Sequence, residues 1–212
     1  MKIAIIGAAG KEGKYLTEEA SSRGHDVTAV VRDAQKIKMP DVKILEKDLF
    51  DLTYDDVKDF DAVIDAFGAW TPETLPLHQT SLKHLTDILK GHENVRLLVV
   101  GGAGSLYVDS EHKIRLMDTP EFPDAFVPLA TVMGKAFDEL TKTENVNWTY
   151  LSPAADFTAD GERTGKYKLG GDELIVNSEG NSRISYADYA IAMIDEAENG
   201  KFKNRRFSVV SE

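Results

Sequence analysis

The chain has 212 residues, 42% of them hydrophobic and 29% charged, and its 36 acidic against 25 basic side chains leave a formal net charge of −11. This length suits one domain with a sizeable buried core, and so acidic a surface repels nucleic-acid backbones and anionic membranes alike. Cysteine is absent, which excludes a disulfide framework and a thiolate zinc site.

The first strand-like run, at 3–6, begins directly after the initiator Met1 and leaves no room for a signal or transit peptide, so a cytoplasmic protein is expected. Further short apolar runs lie at 27–31, 42–45, 62–64, 97–100 and 148–151. Near-continuous apolar runs of this length suit parallel strands covered on both faces. Between them stand helical segments at 11–23, 75–90 and 127–143, and Gly24 is placed to stop the first. Such alternation implies right-handed crossovers and a doubly wound sheet. No stretch of eighteen apolar residues offers a membrane span. The segments 101–124 and 153–181 are rich in Gly, Pro, Asp and Ser and read as irregular, with a short strand at 173–176. Ser185-Tyr-Ala-Asp188 reads as a capping box opening a helix to about Glu198, and 206–210 as a final strand.

The first strand ends at Gly7-Ala-Ala-Gly10-Lys-Glu-Gly13. Gly7 allows a sharp turn out of the strand, Gly10 lets a pyrophosphate approach the backbone, and Gly13 lets the helix pack close to the sheet. The helix then aims its unpaired N–H groups and positive dipole end at the phosphates. The loop as a whole, with Ala9, Lys11 and Glu12, is therefore a candidate dinucleotide cradle. A dinucleotide site selective for NAD wants an acid at the end of strand two, whereas this chain offers Arg32 and then Asp33. A guanidinium clamps a 2′-phosphate by two hydrogen bonds, which favours NADP over NAD, with NAD still open. On the competing view Arg32 is a solvated charge and Asp33 caps the turn after it. Asp48 and Leu49, after strand three, stand at the expected adenine edge, although Asp48 is equally suited to a turn or cap. Ala66, Phe67 and Gly68 follow strand four, where ligands lie outside the carboxyl ends of the strands. His78, His84 and His92 lack a carboxylate at metal-binding spacing, and no metal site is expected.

With these motifs the chain resembles the atypical short-chain dehydrogenase/reductases, and more narrowly the NADH-flavin reductases near the biliverdin-IXβ/flavin reductases and the nitrogen-metabolite-repressor-like NAD(P)-binding proteins. The resemblance runs nearly end to end. Beyond the glycine loop it rests on Arg23-Gly-His-Asp-Val-Thr-Ala-Val-Val-Arg32, Val99-Val-Gly-Gly-Ala-Gly-Ser-Leu-Tyr107, Trp148-Thr-Tyr-Leu-Ser-Pro153, Gly161-Glu-Arg-Thr-Gly-Lys-Tyr167 and Ile184-Ser-Tyr-Ala-Asp188. Ala9 stands where that group has a Thr. Standard members carry Tyr-x-x-x-Lys, with the Tyr as acid/base, but the corresponding helix here reads Thr131-Val-Met-Gly-Lys135. A Thr hydroxyl cannot replace a phenol of pKa ~10 as an acid. Flavin reduction tolerates this loss, because the acceptor ring holds the developing charge and the protein mainly stacks rings and excludes water.

The resemblance implies that Ser105 is the site serine and that Lys135 contacts the nicotinamide ribose, with a solvated helix face as the alternative for Lys135. Tyr107 is the nearest phenolic donor, with packing under its loop as the alternative. Pro153 and Phe157 would line the substrate side and Trp70 the rim, Phe157 and Trp70 each being equally suited to the core. The fold expected is α/β, a single Rossmann-like doubly wound parallel sheet over 1–212 with a small loop-rich C-terminal cap mainly at 153–181. The function expected is NAD(P)H-dependent reduction of a small-molecule acceptor, a flavin or a quinone-like ring. The alternatives are a non-catalytic NAD(P) redox-sensing regulator and a carbonyl or enone reductase. Neither nucleic acid nor membrane is an expected partner, and the oligomeric state is open.

Overall fold

In β1 (Lys2–Ile6) the side chains of Ile3 and Ile5 join one hydrophobic core and those of Ala4 and Ile6 another, and all four are buried. Successive strand side chains point to opposite faces, so this pattern requires a sheet covered on both sides. The computed structural model describes residues 1–212 and contains that sheet. In chain order β1 is followed by α1 (Lys11–Ser22), β2 (Asp26–Val31), β3 (Lys43–Glu46), α2 (Tyr54–Val57), β4 (Ala62–Asp65) and α3 (Leu77–Leu89). Then come β5 (Arg96–Val100), α4 (Val127–Leu140), β6 (Asn147–Ser152), β7 (Asp156–Thr158), β8 (Tyr167–Gly170), β9 (Arg183–Ser185), α5 (Tyr186–Asn199) and β10 (Arg205–Ser211).

The main sheet runs β3-β2-β1-β4-β5-β6-β10-β8, parallel throughout except for β8, which pairs antiparallel with β10. Leu16 and Ala20 of α1 and Tyr189, Met193 and Ile194 of α5 fill one face. Leu82, Leu85 and Leu89 of α3 and Ala136, Phe137 and Leu140 of α4 fill the other. Each fully buried Leu or Ile contributes roughly 1.5–3 kcal/mol, so the two cores hold the helices against both faces of the sheet. That order reverses between β1 and β4, and a crevice at such a reversal, outside the carboxyl ends of the strands, is where this architecture binds ligands. No helix is long and apolar enough to cross a membrane.

Local signals set the element ends. At the close of α1 the N–H of His25 donates to Ala20 O at 3.2 Å and that of Gly24, at φ +78°, to Ser21 O at 2.9 Å. This is a Schellman stop, and it needs the left-handed conformation that glycine takes freely.

Four expectations need correction. Ile44 in β3 is 42% exposed, because β3 is an edge strand and not one covered on both faces. The segment 153–181 is not irregular throughout: it contains β7, which pairs with β9, and β8, which pairs with β10. Those partners lie far along the chain, so local composition could not announce them. The short strand expected at 173–176 is displaced to β8, and 172–174 only bridges Tyr107, through Tyr107 N to Asp172 O at 2.9 Å and Leu174 N to Tyr107 O at 2.8 Å. Ser185 does cap α5 by accepting from Asp188 N at 3.0 Å, but the reciprocal half of a capping box is missing. The buried Asp188 carboxylate instead accepts from Thr164 N at 3.0 Å and Gly165 N at 2.8 Å, tying the 161–165 loop to α5.

Candidate functional site

The chain leaves β1 through Gly7, at φ +74°, whose N–H donates to Val30 O at 3.2 Å. A Cβ added at Gly7 would lie 2.6 Å from Ala66 O, so the loops after β1 and β4 touch at the order reversal. Gly10 is the N-cap of α1 and has no side chain to satisfy the helix. The N–H groups of Lys11, Glu12 and Gly13 make no backbone hydrogen bond, leaving free donors at the positive end of the α1 dipole. A Cβ at Gly13 would stand 2.2 Å from Gly7 O, which is why α1 can start so close to the strand. Ala9 is half-buried and Lys11 exposed on this loop, while Glu12 is buried. A cradle that side chains would fill, with free donors at a helix N-terminus, fits a dinucleotide pyrophosphate.

Toward the outer strands, Arg32 is exposed and forms no ion pair, whereas Asp33 is turned back to accept from Gln35 N at 3.0 Å. Asp48 likewise accepts from Phe50 N at 2.9 Å and caps a short 3₁₀ turn, with Leu49 buried behind it. On the other side Ala66 and Phe67 are half-buried and Gly68 exposed, and Trp70 is 72% exposed beside Gly68. Pro153 is buried just after β6. The fold thus gathers the glycine loop, Ala66–Gly68, the Gly101-Gly102 turn and Pro153 at the carboxyl ends of the adjacent strands β1, β4, β5 and β6.

Ser105 and Tyr107 are drawn away from that edge toward β10. Ser105 is 2% exposed, and its hydroxyl accepts from Arg206 Nη1 at 3.0 Å. Arg206 also donates to Ser105 O at 2.9 Å and to Asp172 Oδ1 at 2.8 Å, and its guanidinium lies 4.4 Å from the Phe137 ring centroid. The Tyr107 ring stacks on His112 at 4.7 Å, with Arg115 and Arg206 each 5.8 Å from its centroid. Phe157 packs on Tyr186 at 4.1 Å and Tyr189 at 4.8 Å. Thr131 is half-buried on α4, and Lys135, one turn on, is exposed without an ion pair.

Two groups at this edge escaped sequence reasoning. Asp65 closes β4, and burial pushes its carboxyl up to about 6 against an opposing hydrogen bond from Phe67 N at 3.0 Å. Tyr150 of β6 is buried, its hydroxyl accepts from Gly102 N at 3.1 Å, and burial raises its phenol. They border a cavity of about 20 Å³, room for one water, whose walls include Phe67, His78, Val99 and Met133. An acid ending an otherwise apolar strand was the available signal for Asp65. Tyr150 looked like any core aromatic. No cluster of three metal-ligating side chains is present.

A family model described as NAD(P)H-binding matches residues 7–197. The Bacillus subtilis protein YwnB is 55% identical over 212 residues, covering 100% of this chain and 99% of its own. A Streptococcus pneumoniae crystal structure, described as "a putative NADH-flavin reductase", is 50% identical with a TM-score of 0.96 and full coverage of both chains. A Veillonella parvula short-chain dehydrogenase/reductase in complex with NADP shares the fold at 18% identity, with a TM-score of 0.70 over 99% of this chain and 94% of that one.

Proposed function

The chain belongs to the NAD(P)H-binding family, and we propose that it is an NADP(H)-dependent oxidoreductase that reduces a flavin or a related planar acceptor such as a quinone. Bound in the cradle, the dinucleotide would supply a hydride from its nicotinamide ring. Gly7 and Gly13 let the strand, the turn and α1 pack closely, Gly10 leaves the space a pyrophosphate needs, and the free N–H groups of residues 11–13 would hold it. Arg32 is free to grip a 2′-phosphate, and the neighbouring acids Asp33 and Glu46 accept from the N–H groups of Gln35 and Ala34 instead of a ribose hydroxyl. That supports NADP over NAD.

The observation that carries the acceptor class is the lack of an aligned acid. Thr131 replaces the phenol of the usual pair, Tyr150 is buried behind Gly102, and Tyr107 is stacked on His112. A carbonyl acceptor needs a proton donor that contributes 10²–10⁴-fold, whereas a flavin or quinone ring carries the developing charge itself. The exposed Trp70 beside Gly68 offers such a ring an aromatic neighbour. The Streptococcus pneumoniae relative's description agrees with this reading.

The same lack of an acid favours one other reading, a regulator that binds the dinucleotide and reports its redox state without turnover. Steady-state oxidation of NADPH in the presence of FMN, riboflavin or a quinone separates the two. Acceptor-dependent oxidation supports the reductase; tight dinucleotide binding with no oxidation supports the regulator.

A further inference from the structure

Glu12 is the second residue of α1, inside the glycine loop, yet it is only 8% exposed and neither of its carboxylate oxygens has a hydrogen-bond partner. Buried side-chain oxygens are nearly always paired, so two orphans on one carboxyl beneath a helix N-terminus demand an explanation. On α5 the carboxyl faces Tyr186 and Tyr189, whose phenols are raised by burial first and by the neighbouring Glu12 second. Tyr189 is committed, donating to Leu151 O at 2.7 Å, and Tyr186 packs on Phe157. From its own helix, Tyr15 stands edge-on to Tyr186 and donates to Ala159 O at 2.9 Å, while Lys11 and Lys14 are exposed. In the loop and strand after β6, Asp156 is paired outward with Arg183, and the buried Asp188 of α5 is held by Thr164 and Gly165. No cation offsets a charge on Glu12, and burial alone pushes its carboxyl well above the usual carboxylate range.

The positive end of the α1 dipole favours an anion here, but only one. Either Glu12 ionises or a pyrophosphate docks on the free N–H groups of residues 11–13. We propose that Glu12 makes the cradle a proton-linked dinucleotide site, in which a bound pyrophosphate and an ionised Glu12 exclude one another. The proposal rests on the reading that the glycine loop binds the pyrophosphate. Above the pH at which Glu12 ionises in the free protein, each binding event takes up a proton, and affinity falls toward tenfold per pH unit.

The test is calorimetric titration of the full chain with NADPH from pH 7 to 9.5, where the 2′-phosphate is already ionised, in buffers of different ionisation enthalpy. The expected result is a Kd that climbs with pH and a buffer-dependent heat that reports proton uptake. Glu12→Gln and Glu12→Met, two neutral replacements of different shape, should each vary less than about twofold over that range. Binding with a flat profile and no buffer-dependent heat overturns the inference alone. An equal slope in either variant also overturns it, because another group is then titrating. No binding at any pH overturns the cradle reading and the inference with it. The wild-type heat needs no variant, so a misfolded substitution leaves the test intact.

Discussion

Gly10 and Gly13 are three residues apart in one loop, yet the geometry assigns them different work, and substituting each separates fold from binding. A Cβ at Gly13 lies 2.2 Å from Gly7 O and 2.8 Å from Ala8 Cα, both backbone atoms that cannot rotate away. Gly13→Ala therefore forces α1 back from the strand by nearly an ångström, an overpacking cost of about 2–3 kcal/mol. For a chain of this size that lowers Tm by roughly 5–10 °C. At Gly10 a Cβ meets only Gly7 O, at 3.0 Å, and the backbone angles of −72° and 172° suit any residue. Gly10→Val should cost about 1 kcal/mol, the loss of a tolerated N-cap, and keep the fold. Its side chain instead fills the space the phosphates need, so dinucleotide affinity should fall at least about a hundredfold, or ~3 kcal/mol. Thermal unfolding by circular dichroism and NADPH titration of both variants give the comparison. A folded Gly10→Val with unchanged NADPH affinity, or a Gly13→Ala with wild-type Tm, would refute the reasoning.

Arg32→Ala should weaken NADPH by about 1.5–3 kcal/mol, the range for hydrogen bonds to charged groups, and leave NADH nearly untouched; calorimetry with equal losses for both would remove Arg32 from the 2′-phosphate. Asp65 has a folded pKa of about 6 against an ordinary value of 3.8, so the folded state holds its proton more tightly and the associated stability is complete only below about pH 4. It should be lost progressively as pH rises to about 6, for about 3 kcal/mol in all, and denaturant titrations should find this decline flattened in Asp65→Asn. Ser105→Ala should lower stability by about 1 kcal/mol, since it removes one acceptor from the buried Arg206, and Tyr107→Phe should cost turnover tenfold or less. If Tyr107→Phe alone loses a thousandfold in kcat, Tyr107 is a general acid and the acceptor is a carbonyl or enone.

The parallel core and the glycine loop were legible because each follows from short-range physics. Apolar runs at 27–31 and 97–100 can bury both faces only as inner strands, and Gly7 must turn where a β-strand meets a helix. The cap was illegible because its strands exist through distant partners: β7 needs β9 and β8 needs β10. Side-chain direction was equally hidden. Nothing near Ser105 in sequence shows that a guanidinium 101 residues away donates to it, and nothing near Asp188 shows that it reaches back to Thr164. Asp33 and Asp48 turned out to serve their own turns, the use to which short acidic side chains are best suited locally.

The most direct test of the account is the initial rate of NADPH oxidation by the purified chain with FMN, riboflavin and a quinone in turn, repeated with NADH. The account predicts oxidation that requires a planar acceptor, saturates with it, and proceeds with a lower KM for NADPH than for NADH. NADPH that binds tightly but is never oxidised with any of these acceptors would contradict it.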